Sequence, residues 1–296
     1  MKIQKVGVVG CGLMGHGIAQ VAAQGGHDVV VVESDPKALE TGLARIDKSL
    51  AKIAEKAVEK GTPKEQAEAA RAAARARLRG ALGLETLADR DLVVEAIVED
   101  LDAKKRLFAT LHPLCRTETI FASNTSSFPI AEMARAGGRP RRTLGLHFFN
   151  PVQLMKLVEV VRTADTDPDV AAAGFEFAKA CGKTPIAAKD TPGFVVNRLL
   201  VPFLAEALRM VERGDASAED VDTAMMLGCG HPMGPITLAD YVGLDTTLSI
   251  LEGWRSRHPQ EPVFAVPESL RAKVRAGLTG RKVGQGFYRW QGDKRV

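Results

Sequence analysis

Two side chains near the middle of the chain could together carry acid–base chemistry. His147 lies in GLHFFNP, at the carboxyl end of a predicted strand, where ligands bind in parallel sheets. Glu159 lies in MKLVEVV, where strand alternation places it on an otherwise apolar face. A carboxylate buried there requires a partner, and a histidine could both satisfy it and be oriented by it. The residues alone leave open whether this pair is catalytic or only structural.

Two further polar side chains are candidates for contacting a substrate. Ser126 lies in NTSS, which follows another predicted strand, although Ser126 or Ser127 could instead cap the next helix. Asn197 falls early in a predicted helix, among apolar residues. On its own, Asn197 is better explained as a solvated or locally bonded amide.

A glycine turn near the start of the chain predicts a dinucleotide site. The run KVGVV is followed by GCGLMG and then by a helical pattern, which is the strand–turn–helix order that a pyrophosphate requires. Gly10 permits the tight turn, Gly12 lets the backbone approach the phosphates, and Gly15 lets the helix pack on the strand. Leu13 and Met14 complete the turn, and the helix N-terminus offers N–H groups to the anion.

The second predicted strand indicates which dinucleotide is bound. It ends on Glu33, about where an acidic residue accepts hydrogen bonds from the adenosine ribose. A carboxylate there repels a 2′-phosphate, and the following Ser34, Asp35 and Pro36 supply no arginine to bind one, so NAD is favoured over NADP. The alternative is an ordinary α/β turn followed by a surface glutamate.

Size and composition are those of an ordinary globular protein with room for two domains, at 296 residues and 26% charged residues. The four cysteines form no CxxC pair and no cluster with the histidines, so we expect neither disulfides nor a metal site. This cysteine usage fits a reducing compartment. The first strand begins almost at Met1, and no stretch has the apolar length of a membrane helix. We therefore expect a cytoplasmic protein without membrane insertion.

Positive charge is concentrated in one segment. Residues 36–79 hold 11 Lys/Arg against 6 Asp/Glu, whereas residues 190–296 hold 13 of each. No nucleic-acid motif accompanies the basic segment, so we expect no nucleic-acid partner. A polyphosphorylated small molecule is the better candidate.

The elements that must position these residues follow a βα alternation as far as residue 189. This alternation predicts a Rossmann-type doubly wound parallel sheet, whose later strands could run antiparallel, with a helical hairpin inserted at 36–79. Beyond residue 190 only helical periodicity is found, with predicted helices at 192–213, 218–227, 236–254 and 267–276. We predict an NAD-binding domain at 1–189, containing the arm, and a smaller all-α domain at 190–296.

Eight motifs in this order resemble the 3-hydroxyacyl-CoA dehydrogenase family across nearly the whole chain. They are GCGLMG, VVEAIVED, NTSS, HFFNPV, KLVEVV, DTPGFVVNRLL, MGPITLADYVGLD and GQGFY. The resemblance implies reversible oxidation of an (S)-3-hydroxyacyl-CoA to the 3-ketoacyl-CoA, with NAD as hydride acceptor. It also implies a homodimer.

The resemblance assigns roles residue by residue. It implies that His147 is the catalytic base and Glu159 its partner, with Ser126 and Asn197 binding the substrate. The implied NAD contacts outside the glycine turn are Glu33, Glu99, Lys104, Ser126, Asn150 and Lys282. In the arm, Ser49 and Lys56 match positions that contact coenzyme A.

Two other functions are considered beside this one. One is a related NAD-dependent dehydrogenase of a substrate without CoA, such as L-gulonate. The other is a non-catalytic NAD-binding sensor or structural protein, against which the complete set of Ser126, His147, Glu159 and Asn197 argues.

Overall fold

The computed structural model describes residues 2–296, which divide into two compact units with the boundary between Phe194 and Val195. The first unit is an α/β structure with a mostly parallel sheet, and the second is predominantly helical. The predicted fold class is thereby confirmed. The boundary predicted at residue 190 lies in the segment between the last strand of the first unit and the first helix of the second.

The first unit is built on an eight-stranded sheet in the order β3-β2-β1-β4-β5-β6-β7-β8. Its strands are β1 (Lys5–Val9), β2 (Asp28–Val32), β3 (Leu78–Ala81), β4 (Leu92–Glu95), β5 (Ile120–Ser123), β6 (Thr143–Phe148), β7 (Leu157–Arg162) and β8 (Thr184–Lys189). All neighbouring strands are parallel except β6 and β7, which pair antiparallel, as the sequence allowed for the later strands.

Helices cover both faces of this sheet. They are α1 (Gly15–Gln24), α2 (Pro36–Glu59), α3 (Lys64–Ala76), α4 (Leu101–Leu114), α5 (Ile130–Ala136) and α6 (Pro168–Ala180). Along β2, Val29 and Val31 join one hydrophobic cluster, whereas Val30 and Val32 join another on the opposite face. Because both faces are buried, the strand reads as an unbroken run of valines.

The basic arm is shorter than predicted. Helices α2 and α3 form the hairpin, but α3 ends at Ala76 and the predicted arm of 36–79 overlaps β3, which pairs in parallel with β2. The sequence did not reveal β3, because this four-residue edge strand contains Arg79 and Gly80 in place of an apolar alternation. A side chain at position 80 would press against Leu39 and Leu43 of α2, which explains the glycine.

Within the described residues, the second unit contains five α-helices, two short 3-10 helices (Pro262–Phe264 and Arg281–Val283) and one short hairpin. The α-helices and the hairpin are α7 (Val196–Arg213), α8 (Ala218–Cys229), α9 (Pro235–Val242), α10 (Leu244–Arg257), α11 (Glu268–Arg275) and the two-residue strands β9 (Trp290–Gln291) and β10 (Lys294–Arg295). Their shared core includes Leu204, Leu208, Ile236 and Trp254. The hairpin was not predicted, because two-residue strands carry too little pattern to detect.

Three predicted helix boundaries are wrong for backbone reasons. The helix predicted from Pro192 begins only at Val196, because Phe194 adopts a left-handed φ of 53° that a helix cannot continue through. The single helix predicted at 236–254 is two helices, separated at Gly243 with φ 106°. The helix that Ser126 or Ser127 could have capped begins only after Pro129, which occupies the N-cap position itself.

Candidate active site

The glycine turn between β1 and α1 has the shape of a phosphate-binding loop. Gly10 has a φ of 98°, and a Cβ at Gly15 would lie 1.9 Å from the carbonyl oxygen of Gly10, so the turn closes directly against the helix. A Cβ at Gly12, by contrast, would meet nothing within 4 Å, which leaves room for a ligand to approach the backbone. No side chain in residues 2–296 caps the first turn of α1, where Met14 is the N-cap residue and Leu13 is exposed. The residues present therefore fit a dinucleotide pyrophosphate.

Glu33 is held rigidly at the end of β2. One carboxylate oxygen accepts the Cys11 N–H at 3.0 Å, and the other accepts the Ser34 N–H at 2.8 Å. Burial, with the Glu33 charge adding to it, raises the pKa of the Cys11 thiol to about 11. The Glu33 carboxylate is thus fixed beside the glycine turn, where the ribose of a bound dinucleotide would lie.

His147 and Glu159 lie opposite one another on β6 and β7, paired across the only antiparallel junction of the described sheet. The Nδ1 atom of His147 lies 2.6 Å from a carboxylate oxygen of Glu159, and their side chains are 7% and 0% exposed. A charge-assisted hydrogen bond of this length fixes the imidazole and assigns its proton to Nδ1. Atom Nε2 then carries the lone pair that can accept a proton.

Aromatic rings and an amide fix the surroundings of His147. The rings of Phe149 and Phe194 lie 4.4 and 5.7 Å from the imidazole, centroid to centroid. The side-chain oxygen of Asn124, just after β5, accepts the Phe148 N–H at 2.9 Å. The end of β6 is thereby tied to the loop that carries Ser126.

A buried ion-pair network lies at the ends of β4 and β5. Lys104, on α4, places its ammonium 2.6 Å from Glu95 and 3.1 Å from Glu99. Lys104 and Glu95 are each 1% exposed, whereas the Glu99 side chain is 41% exposed. Burial raises the pKa of Glu99, but the Lys104 charge and the hydrogen bonds to Glu99 outweigh it, so the net pKa is lowered.

Ser126 is held in this network. Its N–H donates to the same Glu99 oxygen at 3.0 Å that accepts the hydroxyl of Thr125 at 2.7 Å. The Ser127 hydroxyl also donates to that oxygen, at 3.2 Å. Glu99, Lys104 and Ser126, which the family resemblance names as NAD contacts, therefore lie together in the structure.

The remaining candidates of the first unit lie on exposed or half-exposed surfaces. Asn150 is exposed just beyond β6. Ser49 is half-buried and Lys56 exposed on α2, seven positions apart and hence on one side of the helix. Arg45 and Lys52 have the same spacing and are also exposed, so this side of α2 is a basic stripe.

Asn197 and Lys282 belong to the second unit. Asn197 is half-buried in the first turn of α7. Lys282 lies in a short turn near the end of the chain, where its ammonium is 2.5 Å from a carboxylate oxygen of Asp245.

Sequence reasoning missed several polar residues that organise the first unit. Glu95 and Ser123 are fully buried at two adjacent strand ends, and Asn124 follows directly. Asp190 accepts the N–H groups of Ile130 and Ala131 and so caps α5 from a distance. A charged residue closing the apolar run LVVE was the available signal for Glu95.

The described residues contain no group of three or more His, Cys, Asp or Glu side chains that could hold a metal ion. All four cysteines are free, and Cys229 alone among them is exposed. Over the part of the chain that the structure covers, no helix has the length and apolarity to cross a membrane.

Comparison with known proteins gives matches over almost the entire chain. Residues 5–191 match the family model described as 3-hydroxyacyl-CoA dehydrogenase, NAD binding domain, and residues 193–290 match the C-terminal domain of the same family. The mitochondrial hydroxyacyl-coenzyme A dehydrogenase of Sus scrofa is 48% identical over 289 residues, covering 98% of this chain and 92% of the relative.

Two bacterial proteins give similar results. A probable 3-hydroxybutyryl-CoA dehydrogenase of Deinococcus radiodurans is 46% identical over 286 residues, covering 97% of this chain and 100% of the relative. The crystal structure of an (S)-3-hydroxybutyryl-CoA dehydrogenase from Ralstonia eutropha superposes with a TM-score of 0.92 at 40% identity, covering 98% of this chain and 100% of that chain.

Proposed function

Because the chain belongs to the 3-hydroxyacyl-CoA dehydrogenase family, we propose that it catalyses the reversible NAD-dependent oxidation of (S)-3-hydroxyacyl-CoA to 3-ketoacyl-CoA. The observation that carries the proposal is the buried contact of 2.6 Å between His147 and Glu159. A sensor or structural protein has no need for a buried carboxylate that orients an imidazole and leaves its Nε2 atom as a proton acceptor.

His147 acts as the general base. Its Nδ1–H donates to Glu159, so Nε2 accepts the proton of the substrate 3-hydroxyl as the C3–O double bond forms. Glu159 keeps the ring in this tautomer and stabilises the imidazolium that results. NAD, when bound, supplies the acceptor for the hydride that leaves C3. In the reverse direction, the imidazolium returns the proton to the oxygen.

The geometry of the first unit supports most of the NAD contacts that we propose. The backbone at Gly10, Gly12 and Gly15 receives the pyrophosphate, and Glu33 accepts hydrogen bonds from the adenosine ribose. Because β4 lies next to β1 and β5 lies next to β4, the remainder of the dinucleotide extends over their carboxyl ends. The further NAD contacts that we propose are Glu99, Lys104, Ser126, Asn150 and Lys282.

Substrate binding is assigned to two regions. We propose that Ser126 and Asn197 bind the oxygen at C3 and place the reacting carbon, since positioning contributes a large share of such rate enhancements. Ser49 and Lys56 on the basic stripe of α2 bind the phosphates of coenzyme A. These contacts are to the nucleotide part of the substrate and not to the carbon that is oxidised.

A substrate panel tests the proposal. Wild type and His147→Gln are incubated with NAD and either (S)-3-hydroxybutyryl-CoA, the N-acetylcysteamine thioester of the same acid, or L-gulonate, and NADH absorbance is recorded. We expect the CoA thioester to give the highest kcat/KM and His147→Gln to be nearly inactive with it. Faster turnover of L-gulonate would favour a substrate without CoA, and NAD binding without any turnover would favour the sensor.

A homodimer in the cytoplasm completes the proposal. Leu227 near the end of α8 is 83% exposed and its neighbour Met226 is 43% exposed, which suits a surface covered by a second copy. The free cysteines are suited to a reducing compartment. Light scattering should give a dimer mass for wild type and for the control Leu114→Asp, and a monomer mass for Leu227→Asp. A monomeric wild type would contradict the dimer.

A further inference from the structure

Glu95 has no role in the chemistry described above, yet it is fully buried at the carboxyl end of β4 and uses both oxygens. One oxygen accepts the Lys104 ammonium at 2.6 Å and the Ile97 N–H at 2.8 Å. The other accepts the Ser123 hydroxyl at 2.5 Å. Each oxygen begins a separate chain of contacts, and both chains lead to the turn at 125–127.

The first chain of contacts consists of charged side chains. Lys104 joins Glu95 to Glu99, and Glu99 accepts the N–H of Ser126. The hydroxyl of Thr125 donates to the same Glu99 oxygen. The position of Ser126 is therefore set by a carboxylate that a buried ammonium holds in place.

The second chain runs through hydroxyl groups. Ser123 donates its hydroxyl to Glu95, and the same oxygen of Ser123 accepts the Thr125 N–H at 3.1 Å. Since Ser123 is fully buried at the end of β5, this contact connects two neighbouring strand ends and fixes the start of the turn.

Charge explains why a glutamate is needed at position 95. Lys104 is 1% exposed, and a buried ammonium is costly unless a carboxylate lies beside it. Glu99, 41% exposed, is partly hydrated and cannot compensate the buried charge alone without being drawn inward. With Glu95 supplying the buried negative charge, Glu99 remains at the surface of the site and holds the turn.

We propose that Glu95 is a positioning residue, which acts through Lys104 and Ser123 on the turn that carries Ser126. The inference rests on the proposed function for its kinetic part only. Lys104 then serves mainly to hold Glu99 in place, in addition to the NAD contact proposed above.

Three variants of the full-length enzyme test this role. Glu95→Gln keeps the acceptor for the Ser123 hydroxyl but removes the charge beside Lys104. Ser123→Ala removes only one hydroxyl group, so it breaks the second chain of contacts and leaves the ion pair of Glu95 and Lys104 in place. Asp91→Asn is the matched control at the opposite end of β4, because Asp91 accepts the backbone N–H groups of Gln4 and Lys5 and, like Glu95, pairs with a cation, in this case Arg116.

Two readouts are recorded for each variant: kcat and KM with the CoA thioester at saturating NAD, and amide hydrogen exchange. In Glu95→Gln we expect kcat to fall about 10²-fold, as for a reacting group misplaced by about 1 Å, with a smaller change in KM because α2 is untouched. Exchange at Thr125, Ser126 and Ser127 should accelerate about tenfold or more. Ser123→Ala should accelerate exchange at Thr125 with a smaller loss of kcat.

Asp91→Asn should instead accelerate exchange at Gln4 and Lys5, with kcat within about twofold of wild type, as expected for a residue remote from the site. Unchanged exchange at 125–127 in both Glu95→Gln and Ser123→Ala, or unchanged kcat in both when wild type is active, would overturn the proposal. An inactive wild type would refute the proposed function instead, and the exchange data would still decide whether Glu95 holds the turn.

Discussion

Replacing Glu159 by glutamine should separate the charge of the catalytic pair from its geometry. A glutamine oxygen can still accept the Nδ1–H of His147, so the ring keeps its orientation while the negative charge disappears. The two side chains are 7% and 0% exposed, so water screens this charge very little. The charge matters only after His147 has taken the proton, and its removal should therefore lower kcat much more than the affinity for NAD.

The magnitude follows from Coulomb's law. Unit charges about 4 Å apart, at an effective dielectric constant of about 20, attract by about 4 kcal/mol. Since each 1.4 kcal/mol, roughly, is a factor of ten in rate, Glu159→Gln should lower kcat by about 10³-fold at most. His147→Gln removes the base itself and should lower kcat by about 10²–10⁴-fold.

The assay is a double-mutant cycle measured as NADH formation at saturating substrate and cofactor. The double variant should lose no more than the larger single loss, because Glu159 acts only through the imidazole. Asp240→Asn, which alters a buried carboxylate of the second unit that accepts N–H groups of Phe287 and Tyr288, controls for loss of stability. If the double variant loses the product of the two single losses, or if His147→Gln keeps more than about a tenth of wild-type kcat, the reasoning is refuted.

Three further predictions concern the rest of the first unit. Because Glu33 is fixed by Cys11 and Ser34, kcat/KM should favour NAD over NADP by at least about tenfold, and equal values would contradict this. Lys56→Glu should raise KM for the CoA thioester more at low than at high salt and leave KM for the N-acetylcysteamine thioester unchanged; equal effects on both would indicate a structural role for the arm. Burial lowers the pKa of His27, so the unfolded state gains a proton first as the pH falls through about 6.5. Urea unfolding should therefore show that wild type loses more stability than His27→Gln between about pH 8 and pH 5.5, and parallel losses would contradict this explanation.

Much of the first unit could be predicted because its sequence patterns are local. The valine run of β2 and the glycine turn can each be recognised within one short segment. The buried carboxylate of Glu159 was recognisable because it interrupts an apolar strand face. The partner of Glu159 was also predictable, since β6 and β7 are consecutive strands and neighbours in sequence usually pair in space.

What escaped prediction depends on contacts between distant segments. Edge strand β3 forms because it pairs with β2, whereas its own four residues have no clear preference for a strand. The late start of α7 depends on the left-handed conformation of Phe194, a non-glycine residue for which sequence gives no warning. The two chains of contacts from Glu95 likewise join β4, β5 and α4, so no single segment shows them.

The two buried carboxylates of the first unit illustrate how one structural device serves two purposes. Glu95 on β4 and Glu159 on β7 are both fully buried in the same sheet, and each is satisfied by a cationic or potentially cationic side chain. Lys104 contacts both Glu95 and Glu99 and takes no part in the proposed proton transfer, so its pair with Glu95 serves only to fix a turn. His147 exchanges a proton with the substrate oxygen in the proposed reaction, so the charge of its pair with Glu159 changes during turnover. Histidine at position 104 or lysine at position 147 would therefore not serve, because the first pair must keep its charge and the second must exchange a proton.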